Sequence, residues 1–210
     1  MAPSVFPLNK AYIGNLETLE IDLQSVGYYS NDTEDMEAWL KDNFRSKNPI
    51  YQTLNLLLEK IKPQSSSKLR IEDDNEGFVL DSSRINWIYL KHLDLCCPIG
   101  FVSLLELLKK YVYLEYLSVE RIDLGEPNEI VTDVSELSAP LNSTLSTLCL
   151  PFACAVNDFP FLLVVGLVLR LVGLKVLRVP HNVCDDVVSA VKVYQGSYAH
   201  LSKLVIKSVD

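Results

Sequence analysis

Seven copies of one apolar pattern run down this chain of 210 residues. The fullest reads Leu174-x-x-Leu177-x-Val179-x-x-Asn182-x-Cys184. Shorter copies stand at Leu16/Leu19/Ile21, Leu69/Ile71, Leu90/Leu93/Leu95, Leu114/Leu117/Val119, Leu145/Leu148/Leu150 and Leu201/Leu204/Ile206. A recurring period constrains a fold more than local propensity does, because each copy must take a similar shape and bury its apolar side against its neighbours. Counted at the fourth position, successive copies are 50, 24, 24, 31, 29 and 27 residues apart. Most of these steps fit one strand and one return segment. The step of 50 implies an inserted segment, 22–48, or a second unit whose signature has degenerated.

The stretches between copies carry helical periodicity. After Pro98, which suits a first helical turn, Phe101, Leu104, Leu105, Leu108, Tyr111 and Val112 repeat at i, i+3, i+4 spacing. Asn48-Pro49 opens a second stripe of Leu54, Leu57, Leu58 and Ile61. Thr33 caps a third helix with an acidic first turn, and Met36, Trp39, Leu40 and Phe44 face inward from it. Asp158-x-Pro160 starts a very apolar helix that Gly173 stops. Asp185 or Asp186 starts the last, striped by Val187, Val191, Tyr194 and Tyr198. A short helix around Ile130, Val134 and Leu137 is the weakest element.

Strand and helix therefore alternate, which argues for a parallel sheet. A sheet covered on both sides would give continuous apolar strands. Here polar residues fall between the leucines, so the expected sheet carries helices on one side and is open on the other. The wholly apolar run 159–169 falls well short of the roughly 20 residues a bilayer needs, so it reads as a core helix and no membrane association is expected.

At these residues the chain resembles the leucine-rich-repeat superfamily, and most of all its ribonuclease-inhibitor-like and F-box-adaptor-like members. The resemblance covers Leu16–Ile21 and Ser66–Ile206. It implies an α/β solenoid, a curved parallel sheet with helices on the convex side, filling residues 1–210 as one domain of a longer protein. It also implies that Asn182 satisfies backbone groups leaving its strand. The corresponding positions elsewhere hold Gln24, Asp74, Pro98, Ile122, Ala153 and Val209, so the units are irregular. Solenoids protect their end units with polar caps. The C-terminal end has no evident cap, which implies further chain or a covering partner.

Function is then expected on the concave face, as non-catalytic recognition of a protein, within a multi-subunit complex. The candidate contact residues are Glu20, Arg70, Glu72, His92, Asp94, Tyr116, Glu120 and Arg178, with Tyr116 and Arg70 as anchors because Tyr and Arg dominate interface energetics. In the last unit the face positions are Lys203, Val205 and Lys207. Alternative readings are a GTPase regulator, a ubiquitin-ligase substrate adaptor and, less favoured, an α/β enzyme.

Other classes find little support. A net charge of −8 disfavours nucleic acid, which needs a basic stripe. The five cysteines are irregularly spaced and do not resemble a disulfide framework, which suggests a reducing, intracellular compartment, cytoplasm or nucleus. The sequons at Asn31 and Asn142 carry little weight without a signal peptide. His92 with Cys96 and Cys97, or His181 with Cys184, lacks the paired spacing of a zinc site, and Glu72, Asp73, Asp74 and Glu76 lack the EF-hand alternation. No nucleophile elbow or phosphate loop occurs. No cofactor, metal or catalytic residue is expected.

Overall fold

The computed structural model describes residues 18–23, 67–73, 87, 89–123, 140–151 and 161–209. Every copy of the signature forms a strand. These are β1 (Thr18–Leu23), β2 (Ser67–Asp73), β3 (Leu90–Gly100), β4 (Tyr116–Asp123), β5 (Thr147–Cys149), β6 (Val176–Pro180) and β7 (Val205–Val209). They pair in chain order into one sheet, each strand parallel to its neighbours in sequence. Helix α1 (Phe101–Lys110) joins β3 to β4, α2 (Phe161–Arg170) lies between β5 and β6, and α3 (Cys184–Lys192) lies between β6 and β7. The chain is thus α/β with a parallel sheet, as the alternation implied.

Strand parity sorts the side chains. The fourth signature position forms a ladder running Leu19, Leu69, Leu93, Leu117, Leu148 and Leu177, which Ile206 continues in the last strand. From Leu69 through Leu177 these residues are fully buried. They share one core with Leu104, Leu107 and Leu108 of α1, Val164, Leu167 and Val168 of α2, and Val187 and Val191 of α3. Each such side chain contributes roughly 1.5–3 kcal/mol when removed from water. Spacing anticipated Leu104, Leu108, Val187 and Val191 among these, while Leu107 lay outside the expected α1 stripe and Val112, inside it, is exposed. No helix among the described residues is long and apolar enough to cross a membrane.

Several expectations need correction. Pro98 lies in the end of β3, not in a helical turn, and Gly100 is the N-cap of α1. The strand runs this far because β3 carries an extra residue. Cys96 and Cys97 together face Glu120, a bulge that lets Pro98 pair with Arg121. The stripe after β6 is also shorter than expected. Helix α3 ends at Lys192, so Tyr194 and Tyr198 are exposed residues of the turns that follow. Asn182 follows β6 directly in a 3-10 turn, and Cys184 opens α3 half-buried. The helices expected after Thr33 and Asn48 and near Ile130 lie outside the described residues, as do Asp158, Pro160 and segment 24–48.

The last unit is offset from its expected register. Ile206, not Leu204, pairs with Leu177. The cause is a turn that precedes the strands. Leu90 N donates to Trp87 O at 2.9 Å, Leu114 N to Tyr111 O at 3.0 Å, Leu174 N to Leu171 O at 2.9 Å and Leu204 N to Leu201 O at 3.2 Å. Leu201 and Leu204 therefore occupy the turn, equivalent to Leu171 and Leu174. The last unit has one residue fewer between turn and strand. Trp87, Tyr111, Leu171 and Leu201 plug the core at this turn. The Trp87 indole N–H is buried there with no hydrogen-bond partner among the described residues, costing about 1–3 kcal/mol that burial of the large ring must offset.

The unit before β5 builds the turn differently. Leu145 N donates at 2.8 Å to the side-chain Oδ1 of Asn142, replacing a backbone carbonyl. Thr144 N donates to the same atom at 2.9 Å. The Asn142 amide then donates to Leu108 O at 2.9 Å and Tyr111 O at 3.1 Å, which are carbonyls at the end of α1. Asn142 is thus a buried bridge between two units, and both amide hydrogens that a glycan acceptor would offer are already engaged.

Candidate functional site

Residues between the buried ladders emerge on the opposite face of the sheet. Register sets them in rows across the strands. One row runs Thr18, Lys68, His92, Tyr116, Thr147, Val176 and Val205, and the next Glu20, Arg70, Asp94, Ser118, Cys149, Arg178 and Lys207. A third begins Asp22, Glu72, Cys96. Seven of the eight candidate residues stand in these rows, and Glu120 continues the same parity on β4 opposite the bulge. They are exposed or half-buried, in contrast to the ladders behind them. The exceptions are Ser118 and Cys149, which are buried at the centre of the face. The last unit presents Val205, Lys207 and Val209, since Lys203 precedes the strand.

Arg70 organises the acidic side of the face. Its Nη2 lies 3.1 Å from Glu72 Oε2 and its Nη1 3.3 Å from Asp94 Oδ2. The hydrogen bond to Glu72 above all, then the negative potential of neighbouring groups, holds its pKa above the usual value. Such half-exposed pairs add at most about 1 kcal/mol of stability, so their main effect is to hold three charged side chains in place. Cys96 Sγ adds a contact to Asp94 Oδ1 at 3.9 Å.

Next to this network the rings of His92 and Tyr116 stack, with centroids 3.9 Å apart and planes 8° from parallel. Parallel pairing puts them at equivalent positions of adjacent strands, so the stack follows from the 24-residue step. Burial first, then Lys68, lowers the His92 pKa, against an opposing pull from Asp94. The imidazole is therefore neutral at pH 7. A lowered histidine pKa means that the unfolded chain binds the proton more readily. The His92 contribution to stability is thus complete above the ordinary value of about 6.5 and is lost as pH falls below it. In a proton NMR titration His92 should titrate below that value, and Lys68→Ala should move it upward. A His92 midpoint at or above the ordinary value would contradict this environment.

The thiols here are poorly suited to nucleophilic chemistry. Burial, reinforced by Asp94, pushes Cys96 up to about 11, and burial likewise raises Cys149. Both remain protonated at neutral pH, and the thiolate is the reactive form. Cys96 and Cys97 point to opposite sides of the sheet, with Cys97 in the core. Among the described residues no three His, Cys, Asp or Glu side chains are placed to share a metal ion. Glu72 belongs to the Arg70 network, while Asp74 and Glu76 lie outside the described residues.

A second surface feature was not anticipated. Tyr89 and Tyr113 occupy equivalent turns, 24 residues apart, with ring centroids separated by 5.7 Å. With Val112 and Val172 they leave large apolar side chains exposed beside the starts of the strands. The repeat step was the available sequence signal, since it relates Tyr89 to Tyr113 directly. No family model, curated protein or solved structure matches the chain.

Proposed function

We propose that the chain is a leucine-rich-repeat solenoid, a non-catalytic module that recognises a protein partner through the open face of its sheet. One observation carries this reading. The eight candidate residues share one face, half-exposed and partly pre-organised, while the opposite face is filled by core. Support for the repeat architecture comes from the sequential parallel order, the ladder of buried leucines and the recurrent turn ahead of β3, β4, β6 and β7. A strictly sequential parallel sheet is what stacked strand-and-return units produce.

The energetics favour recognition through few anchors. Tyr116 is held by the His92 ring, and Arg70 by two carboxylates. Ordering a free side chain at an interface costs about 0.5–1.5 kcal/mol. Side chains already held by neighbours incur less of that cost. A partner would meet Tyr116 ring edge, Arg70 guanidinium and the carboxylates of Glu20, Glu72 and Glu120 together. Assembly into a multi-subunit complex fits this role.

The test is affinity capture with the intact chain, identification of bound proteins and titration of the recovered partner. Arg70→Glu should weaken the complex by about 2 kcal/mol or more, because it places a third carboxylate against Glu72 and Asp94 and removes the cation that holds them. Asp94→Arg should act in the same direction. Unchanged affinity for both reversals would move the docking surface elsewhere, with the exposed Tyr89–Tyr113 turns the next place to look.

A further inference from the structure

The open face is electrically divided. Where side chains are described, the face positions of β1–β4 carry four carboxylates, Glu20, Glu72, Asp94 and Glu120, against Lys68 and Arg70, with Arg121 also exposed beyond Glu120 at the end of β4. Arg70 is already committed to Glu72 and Asp94. Those of β5–β7 carry Arg178 and Lys207 and no carboxylate. Arg178 and Lys207 are exposed partners in the β6–β7 register, and among the described residues neither joins an ion pair. Lys175 and Lys203 add positive charge at the starts of the same two strands. Like charges on neighbouring strands repel. Nothing among the described residues relieves that repulsion, whereas the acidic side has its own internal cation.

Taking the open face as the docking surface, we infer that its partner presents an extended, charge-polarised segment running across the strands. Acidic side chains of that segment lie over Arg178 and Lys207, and basic side chains lie over Glu20, Glu72 and Asp94. The spacing follows from the sheet. Asp94 and Arg178 share a row three strands apart, so at ~4.8 Å per strand the charges are separated by about 14 Å. An extended chain covers that distance in about four residues at ~3.4 Å each, and the whole row from β1 to β7 in about eight. The His92–Tyr116 stack lies between the two regions, where an apolar or planar side chain of the segment would rest. A uniformly charged partner would meet repulsion at one end of the face, and a segment of the right polarity would meet none.

The experiment uses the isotope-labelled intact chain at low salt, with three peptide probes followed residue by residue in amide NMR spectra. They are an oligoglutamate, an oligolysine and a peptide with an acidic and a basic block separated by about three neutral residues. Oligoglutamate should shift the amides of β6 and β7, and oligolysine those of β1–β4. The two-block peptide should bind at least about tenfold more tightly than either, since its second contact is intramolecular. The double variant Arg178→Glu, Lys207→Glu should lose the oligoglutamate response and keep the oligolysine response, which also reports that it is folded. If the face responds to the probes without this division, or the two-block peptide gains nothing, the polarity is wrong and the docking face stands. A face silent to all three probes overturns both.

Discussion

Asn142→Ala should destabilise the protein by about 3–4 kcal/mol, visible as a fall of roughly 10 °C in the thermal midpoint for a chain of this size. The size of the effect comes from what is left behind rather than from what is removed. Leu145 N and Leu108 O lose the partners described above, Asn142 Oδ1 and Nδ2, within a closed interior. A buried unsatisfied backbone group costs about 1–3 kcal/mol. Tyr111 O suffers less, because Leu114 N still donates to it. Asn142→Asp should do no better at neutral pH. It keeps acceptors for Thr144 N and Leu145 N but turns a charged oxygen toward two carbonyls. Thr144→Val, at an exposed site, should cost only about 1 kcal/mol although it removes hydroxyl bonds to Val112 O and Leu114 O. An alanine variant melting within about 2 °C of the parent would mean that Asn142 does not bridge the two units.

The second large effect concerns glycine, and its sign depends on position. A methyl group at Gly173 would run into the backbone carbonyl of Ser143. Backbone cannot rotate away as a side chain can, so Gly173→Ala should cost about 2–4 kcal/mol through displaced turns. The expected role of Gly173 was to stop α2. The need is instead for close approach of the 141–145 loop, which Leu141 N also ties to the end of α2 through Arg170 O at 2.9 Å. Gly166, inside α2, is the contrast. A Cβ there meets nothing within 4 Å. Gly166→Ala should stabilise by about 0.5–1 kcal/mol, because alanine loses less backbone entropy on entering a helix. Chemical denaturation of the two variants should move the midpoints in opposite directions. Asn142 and Gly173 meet at one loop, so their combined loss should fall short of the sum.

Much of the sheet could be read from the residues because a strand has only two faces. Once Leu69, Leu93 and Leu117 are aligned, parity alone assigns Lys68, His92 and Tyr116 to the other side. The buried residues Leu104 and Leu108 of α1 and Val187 and Val191 of α3 followed from helical spacing in the same way. The turns could not be read so directly. Leu201-x-x-Leu204-x-Ile206 imitates the strand signature, yet its first two leucines belong to the turn. Nothing in their identity distinguishes a turn leucine from a strand leucine. Trp87, Tyr111 and Leu171 share no residue type, so the position they mark is visible only through the backbone bond it makes. Asn142 was hidden because its worth lies in donors and acceptors reaching carbonyls 31 and 34 residues away. The site residues were placed by parity, while the Arg70 network and the ring stack depended on lateral distances that a sequence does not contain.

The sequential order of the strands also bears on how such a gene can change. Each strand bonds only to the strands before and after it in the chain. A duplicated stretch holding one strand and one return helix would find, on both sides, surfaces of the kind it already matches. A deleted one would leave two compatible surfaces facing each other. Two adjacent steps of equal length, Leu69 to Leu93 and Leu93 to Leu117, are the pattern that copying by whole units leaves. The unequal steps on either side are confined to connecting segments, where loop closure penalises added length only slowly. Length is therefore inherited here almost independently of shape, and a wider or narrower open face can arise without a new fold.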